Sequence, residues 1–321
     1  MKRKIEILTL ELIRKCPSKC LHCSTFSSPK ATDFISFEKA KSLIEESIDL
    51  GLKKLILSGG EPLLYPWIIE LIQFIKNKNV SIIIYTSGSL LDESNKPNNI
   101  PFSLLQKINR IGIERYNLSL HSSVQENHDK FMDTEGSWKR AVEFIGNCKK
   151  LNEEIQIHTV LTKYNFDNLI DFSYFLSDKG IKTIRILKLV PQGRAKNNYS
   201  NLEPSSLESD IFWGQVKKLQ NLNIIDVKLG AHLYSLTNNT QYECSLDSNK
   251  LTVTPDGTTS VCPAFKGLST IYKSPNINND SLNEIVSSEW RDSFDKIKLE
   301  HRYSCPAQVI YNLSKKQKNY N

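Results

Sequence analysis

Three cysteines fall within eight residues, Cys16-Pro17-Ser18-Lys19-Cys20-Leu21-His22-Cys23, spaced C-x3-C-x2-C. Thiolates are soft ligands that favour zinc, copper(I) and iron–sulfur clusters. A structural zinc site closes with four protein ligands, and this stretch offers three thiols. A bacterial ferredoxin run is spaced C-x2-C-x2-C and adds a fourth thiolate, so the longer first gap departs from that pattern too. His22 is the local candidate for a fourth zinc ligand, yet it adjoins Cys23, whereas ligand pairs keep two or more residues between them. Three thiolates on a four-iron cube leave one iron open to something else. Downstream stands Gly59-Gly60-Glu61-Pro62. Paired glycines let backbone approach a ligand closely, and a carboxylate can accept hydrogen bonds from an ammonium. Taken alone, the same four residues read as a plain glycine-rich turn.

Four further thiols remain. Cys148 shares an apolar helix face with Trp138, Ala141 and Ile145, where a free thiol behaves as a small hydrophobe. Cys244 and Cys262 bracket a strand–turn–strand pattern around Pro255-Asp256-Gly257, a turn that brings its two ends together. Two thiols distant in sequence can then share one metal, and Cys305 can join them. The alternative is three cysteines buried as packing.

The elements that must position these groups repeat as strand then helix. Strands are expected at residues 5–12, 54–57, 80–85, 115–120, 155–161 and 183–190. Between them run helices. Ser36 caps one over 37–50, and Pro66 opens one carrying Trp67, Leu71, Ile72 and Ile75. Others cover 103–111, the Trp138–Cys148 face and the Leu169, Phe172, Leu176 face. Residues 95–101 read as a polar break and 197–207 as a connector. Six such units predict an α/β fold, a parallel sheet curled into a partial (β/α)6 TIM-like barrel. Active sites of such folds lie at the C-terminal ends of the strands, and each motif follows a predicted strand. The expected division is a barrel core at 1–200, a linker helix at 201–223, a small α+β domain rich in strands and turns at 224–314, and a disordered tail at 315–321.

Size and composition set outer bounds. The chain has 321 residues, 39% of them hydrophobic, enough for one large domain with or without a small one. No run of about 18 apolar residues exists, so no membrane span is expected. The basic Met1-Lys2-Arg3-Lys4 leads into a stretch with Glu6 and Glu11, unlike a signal peptide. Seven cysteines without an export signal point to metal rather than disulfides and to a cytoplasmic location. The net charge of +7 resides partly in runs such as Lys315-Lys316-Gln317-Lys318. It reads as a solvated basic surface. Nucleic acid is not expected, because no helix-turn-helix, zinc-finger or RNA-recognition pattern accompanies it.

With GGEP at this distance behind it, the C-x3-C-x2-C stretch resembles the signature of the radical S-adenosylmethionine (radical SAM) enzymes. The resemblance covers about residues 5–200. It implies a [4Fe–4S] cluster on Cys16, Cys20 and Cys23, with SAM chelating the open iron. One electron then cleaves SAM to a 5′-deoxyadenosyl radical, which removes a hydrogen atom from the substrate. The family usually has an aromatic residue where His22 stands. Gly59, Gly60, Glu61 and Pro62 match the motif that holds the SAM amino group. Ser87, in Thr86-Ser87-Gly88, falls in the loop after strand three, where Asn is commoner. Ser119 resembles the serine that approaches the SAM carboxylate or ribose, with His121 where many relatives have Asp. Arg194, after Pro191-Gln192-Gly193, resembles a segment near the adenine. Each of the last three also reads as a loop residue without contact.

The C-terminal stretch resembles the twitch domain, the shorter relative of SPASM. It implies an auxiliary [4Fe–4S] cluster on Cys244, Cys262 and Cys305. Gln308 stands where the pattern has its last thiol, so the fourth ligand is open. Relatives with such domains modify ribosomally made peptides, dehydrogenate small alcohols or build cofactors. The substrate expected here is a peptide or protein. Against it, strand one starts near residue 5 and leaves no room for a leader-binding domain. The alternatives are oxidation or rearrangement of a small polar metabolite or cofactor precursor, and a non-enzymatic zinc or iron–sulfur module. GGEP argues against the module. A reducing donor such as flavodoxin or ferredoxin is the implied protein partner.

Overall fold

The computed structural model describes residues 3–230, 233, 249–266, 274–300, 305, 307 and 309. It opens with β1 (Ile7–Ile13), α1 (Phe37–Asp49), β2 (Lys54–Gly59), α2 (Ile68–Ile75) and β3 (Ser81–Thr86). A short hairpin follows, β4 (Ser89–Leu91) and β5 (Pro97–Asn99), then α3 (Phe102–Ile111), β6 (Arg115–Ser119), α4 (Gln125–Met132) and α5 (Ser137–Lys150). Next come β7 (Ile155–Leu161), α6 (Leu169–Asp178), β8 (Thr183–Lys188), α7 (Arg194–Leu202), α8 (Ser206–Leu222) and β9 (Asp226–Leu229). The C-terminal part holds β10 (Lys250–Val253), β11 (Thr259–Ser260), α9 (Leu282–Ser287) and α10 (Glu289–Glu300).

Nine strands form one sheet in the order β11-β10-β1-β2-β3-β6-β7-β8-β9. Neighbours are parallel except β10 and β11. The six expected strands stand side by side in chain order, the arrangement of a partial TIM barrel. Alternation explains its two faces. Leu8, Leu10, Leu55, Leu57, Ile84, Tyr116 and Leu118 are fully buried in one core with Ala40, Ile44, Leu71, Ile75 and Cys148 of the helices. Each such aliphatic side chain contributes roughly 1.5–3 kcal/mol. The intervening residues, among them Glu11, Ser58, Tyr85, Ser119 and His158, take the other, more polar face. Ser36 caps α1 by accepting from the Lys39 N–H at 3.3 Å. No helix among the described residues is long and apolar enough to cross a membrane.

Four features differ from the sequence expectation. The polar break carries the β4–β5 hairpin, whose three-residue strands are too short for a readable period. Helix α4 (QENHDKFM) is polar and has no side-chain cap. The connector at 197–207 is mostly α7, a helix rich in Asn that its docking, described below, holds in place. Lastly, the stretch after 224 first extends the barrel sheet. β9 pairs with β8, and β10 lies parallel to β1, with Leu8 opposite Leu251. The expected tail at 315–321 lies outside the described residues.

Candidate active site

At the C-terminal ends of the strands a cleft of about 270 Å³ is lined by Cys16, Cys20 and Cys23, by Gly59 and Gly60, and by Ser87 and Ser119. A larger cavity of about 470 Å³ lies near the opposite strand ends, beside Glu154 and Lys182, and contains none of the motif residues. So the sheet gathers the thiols, the glycine pair and two of the predicted serines at one mouth.

The cysteine loop is gripped by its backbone from several sides. The Leu21 N–H donates to the Phe131 carbonyl at 3.1 Å, and the Ala195 N–H donates to the Cys23 carbonyl at 3.2 Å. Arg194 sends one guanidinium nitrogen to the Cys20 carbonyl at 2.9 Å and another to the Ser27 carbonyl at 2.8 Å. Asn198 reaches the Leu21 carbonyl at 3.3 Å. Gly193, at φ +51°, packs so closely that a Cβ would lie 2.6 Å from the Cys23 carbonyl oxygen. Arg194 therefore holds the loop. Its side chain is not among those lining the cleft.

The GGEP stretch also makes contacts within the protein. The Gly60 N–H donates to the Ile13 carbonyl, and the Glu61 N–H donates to the Lys15 carbonyl at 2.9 Å. A Cβ on Gly60 would overlap the carbonyls of Lys15 and Arg14. The missing side chains thus admit the stalk of the cysteine loop, although both glycines also line the cleft. Glu61 is fully buried. Its Oε1 accepts from Thr86 Oγ1 at 2.9 Å and from the Leu63 N–H at 3.3 Å. Its Oε2 accepts from the Ser87 N–H at 2.8 Å and Ser87 Oγ at 2.7 Å. A carboxylate has about four lone-pair sites, and four protein donors use them. Burial pushes Glu61 up to about 7, with the Ser87 and Thr86 hydrogen bonds pulling the other way. Pro62 opens a buried 3-10 turn on the core side.

The ring of His22 stacks on Phe131 at 4.3 Å, with His121 edge-on at 4.8 Å. Burial, with the charges of His128 and Arg194 adding to it, lowers His22 to about 3. It is neutral and serves as the planar aromatic of its position. Met132 places its sulfur 3.5 Å from the Cys20 thiol. Phe131, Met132 and Asn198 carried no signal in the sequence, and Gly193 stood there only as part of the run before Arg194.

The three thiols are soft donors of the kind that iron–sulfur clusters take. Burial and the neighbouring Cys23 push Cys20 up to about 12, and burial, Cys20 and Glu61 push Cys16 well above the ordinary thiol range. Only a positively charged centre would hold such groups as thiolates.

The second set of thiols is partly visible. The turn at Pro255-Asp256-Gly257 does join β10 to β11, with Thr252 opposite Ser260. Cys262 follows β11, and both it and Cys305 are buried in the main core. Cys244 and Gln308 lie outside the described residues. Cys148 is fully buried among apolar side chains, as expected.

Comparison with known families gives two matches, the Radical SAM superfamily over residues 10–187 and the SPASM iron–sulfur cluster-binding domain over residues 244–307. The chain is similar to an AdoMet-dependent heme synthase of Methanosarcina barkeri, 27% identical over 210 residues, 64% of this chain and 57% of that protein. It spans about half the length of the heme synthase and Fe-coproporphyrin III synthase relatives it matches, 57, 53, 50 and 47%. A GTP 3′,8-cyclase of Clostridium perfringens is 26% identical over 304 residues, 88% of this chain and 89% of that protein. Among solved structures, Streptococcus suis SuiB bound to S-adenosylmethionine superposes with a TM-score of 0.69 at 15% identity, over 90% of this chain and 66% of that one.

Proposed function

Because the chain belongs to the radical SAM superfamily, we propose that Cys16, Cys20 and Cys23 hold the [4Fe–4S] cluster at which SAM is cleaved. The observation that carries this reading is the placement of all three thiols around one cleft with the Gly59–Gly60 backbone. When bound, the cluster would supply the one electron that breaks the sulfur–C5′ bond of SAM, releasing methionine and a 5′-deoxyadenosyl radical able to take a hydrogen atom from the substrate.

The protein's own residues bind, orient and exclude water. Gly59 and Gly60 present backbone to SAM, and Ser119 offers a hydroxyl. Glu61 acts through Ser87, whose position it fixes with two hydrogen bonds. Arg194 and the start of α7 keep the cysteine loop in register. Anaerobically reconstituted protein incubated with SAM and dithionite should yield 5′-deoxyadenosine. The C16A/C20A/C23A variant should yield none above buffer, and equal yields would overturn the assignment.

For the substrate, a small polar metabolite is the reading we favour over a peptide. Lys188, half-buried at the end of β8, lines the same cleft and makes no hydrogen bond or ion pair among the described residues. Burial lowers its pKa, while Cys305 and Glu203 nearby pull upward. Lys188 also lines a second, smaller cavity with Glu203, and an ammonium at the edge of the cleft suits a substrate carrying a carboxylate or phosphate. The GTP 3′,8-cyclase relatives, which pair with this chain over most of its length, point the same way. SuiB, which has been crystallised with its precursor peptide SuiA, lends architecture alone at this identity. An extract of the source cells should raise 5′-deoxyadenosine turnover, and the rise should survive exhaustive proteolysis. A rise that proteolysis abolishes would favour the peptide.

A further inference from the structure

Lys266 lies four residues after Cys262, inside the stretch matched as the iron–sulfur cluster-binding domain. Its side chain is 9% exposed and pairs with Glu11 of β1, itself 7% exposed. The same Nζ donates to Ser24 Oγ at 3.2 Å. Ser24 follows Cys23 directly and lines the cleft. Glu11 sits where the register between β1 and β2 shifts, just before the cysteine loop. One ammonium thus joins the C-terminal domain, the first barrel strand and the loop that carries the thiols.

Stability alone does not account for such a pair. Removing two charges from water costs several kcal/mol per ion, and well-packed apolar residues in their place are often neutral or stabilising. Nor is it the single contact across this junction. The parallel pairing of β10 with β1, an Arg14–Asp256 ion pair and a Gln192 hydrogen bond to the Ala264 carbonyl also join the two parts. What the pair adds is a fixed charge with a direction. Its positive end is turned to Ser24 beside a cluster thiol, and its negative end lies on β1.

We propose that Lys266 is a positioning residue through which the docked iron–sulfur domain makes the cluster on Cys16, Cys20 and Cys23 easier to reduce. Reduction adds negative charge to that cluster. A cation nearby stabilises the reduced form, and a carboxylate destabilises it. Net charge and hydrogen bonding around the ligands are the ordinary levers on such potentials. The inference rests on the ligand assignment above.

The test is a redox titration of the reconstituted full chain, followed by electron paramagnetic resonance, using the signal that changes when SAM is added. K266M should move its midpoint to more negative potential, and K266R should stay near wild type. E11Q keeps the cation and removes the anion, so it should move the midpoint the opposite way. A purely structural role predicts no such opposition. Unchanged midpoints, or shifts of the same sign in K266M and E11Q, overturn the proposal. If K266M fails to load its cluster, E11Q alone decides, since an unmoved or more negative midpoint sinks it. Absence of any SAM-responsive signal in the wild type overturns the ligand assignment instead.

Discussion

The two sets of thiols in this molecule are arranged in opposite ways. Cys16, Cys20 and Cys23 share one short loop, and that loop is gripped by Phe131, Gly193, Arg194, Ala195 and Asn198 from elements more than a hundred residues away. Cys262 and Cys305 come from distant points of the chain and are buried in the main core. In the first site the ligand spacing is covalent and the surroundings are tertiary. In the second the spacing itself is tertiary. The first can therefore keep its ligand set through wide sequence change, while the second depends on how one end of the chain docks.

Removing the second site is the strongest way to break this comparison. Replacing Cys244, Cys262 and Cys305 by Ala should remove about four of about eight irons per chain, while 5′-deoxyadenosine formation persists. C148A, which empties a core position, should leave the iron content unchanged. Full iron content in the triple variant would mean that no auxiliary cluster is held there.

A smaller effect should follow from loosening the first site until it resembles the second. R194M deletes two hydrogen bonds from a charged donor, each worth roughly 1.5–3 kcal/mol. Loss of iron to a chelator should accelerate at least about a hundredfold, at about 1.4 kcal/mol per factor of ten. An unchanged rate would show that the loop is held well enough without the guanidinium.

Glu61 sharpens the comparison further, because it extends the grip to the SAM side. In E61Q one oxygen becomes an NH2 facing donors, so about two of the four hydrogen bonds are lost. SAM affinity should fall about tenfold, as calorimetry would read. The same variant carries a pH signature. The carboxyl rises from 4.5 to about 7 on folding, so the folded state keeps its proton longer than the unfolded one. Stability should fall as pH rises through that window, by roughly 3 kcal/mol in all. Thermal unfolding of metal-free protein should show this slope in the wild type and lose it in E61Q.

Much of the barrel was legible because burial imposes a period. The strand at 155–161 falls where alternation puts it, and α1 starts at its Ser36 cap. Short or polar elements gave no such period. The β4–β5 hairpin, α4 and α7 owe their form to partners that a local window does not contain.

The site divides along the same line. By itself the sequence determined the thiol loop, the glycine pair and the class of chemistry, because a motif fixed by covalent spacing is complete in a few consecutive residues. Only the tertiary structure decided that Glu61 saturates itself on Thr86, Ser87 and Leu63, that the glycines make room for the Arg14–Lys15 backbone, and that Arg194 clamps the loop. It alone brought Lys266 to Ser24 across 242 positions of chain. Hydrogen-bond partners are chosen by what packing brings within about 3 Å, and no spacing rule along the chain encodes that choice.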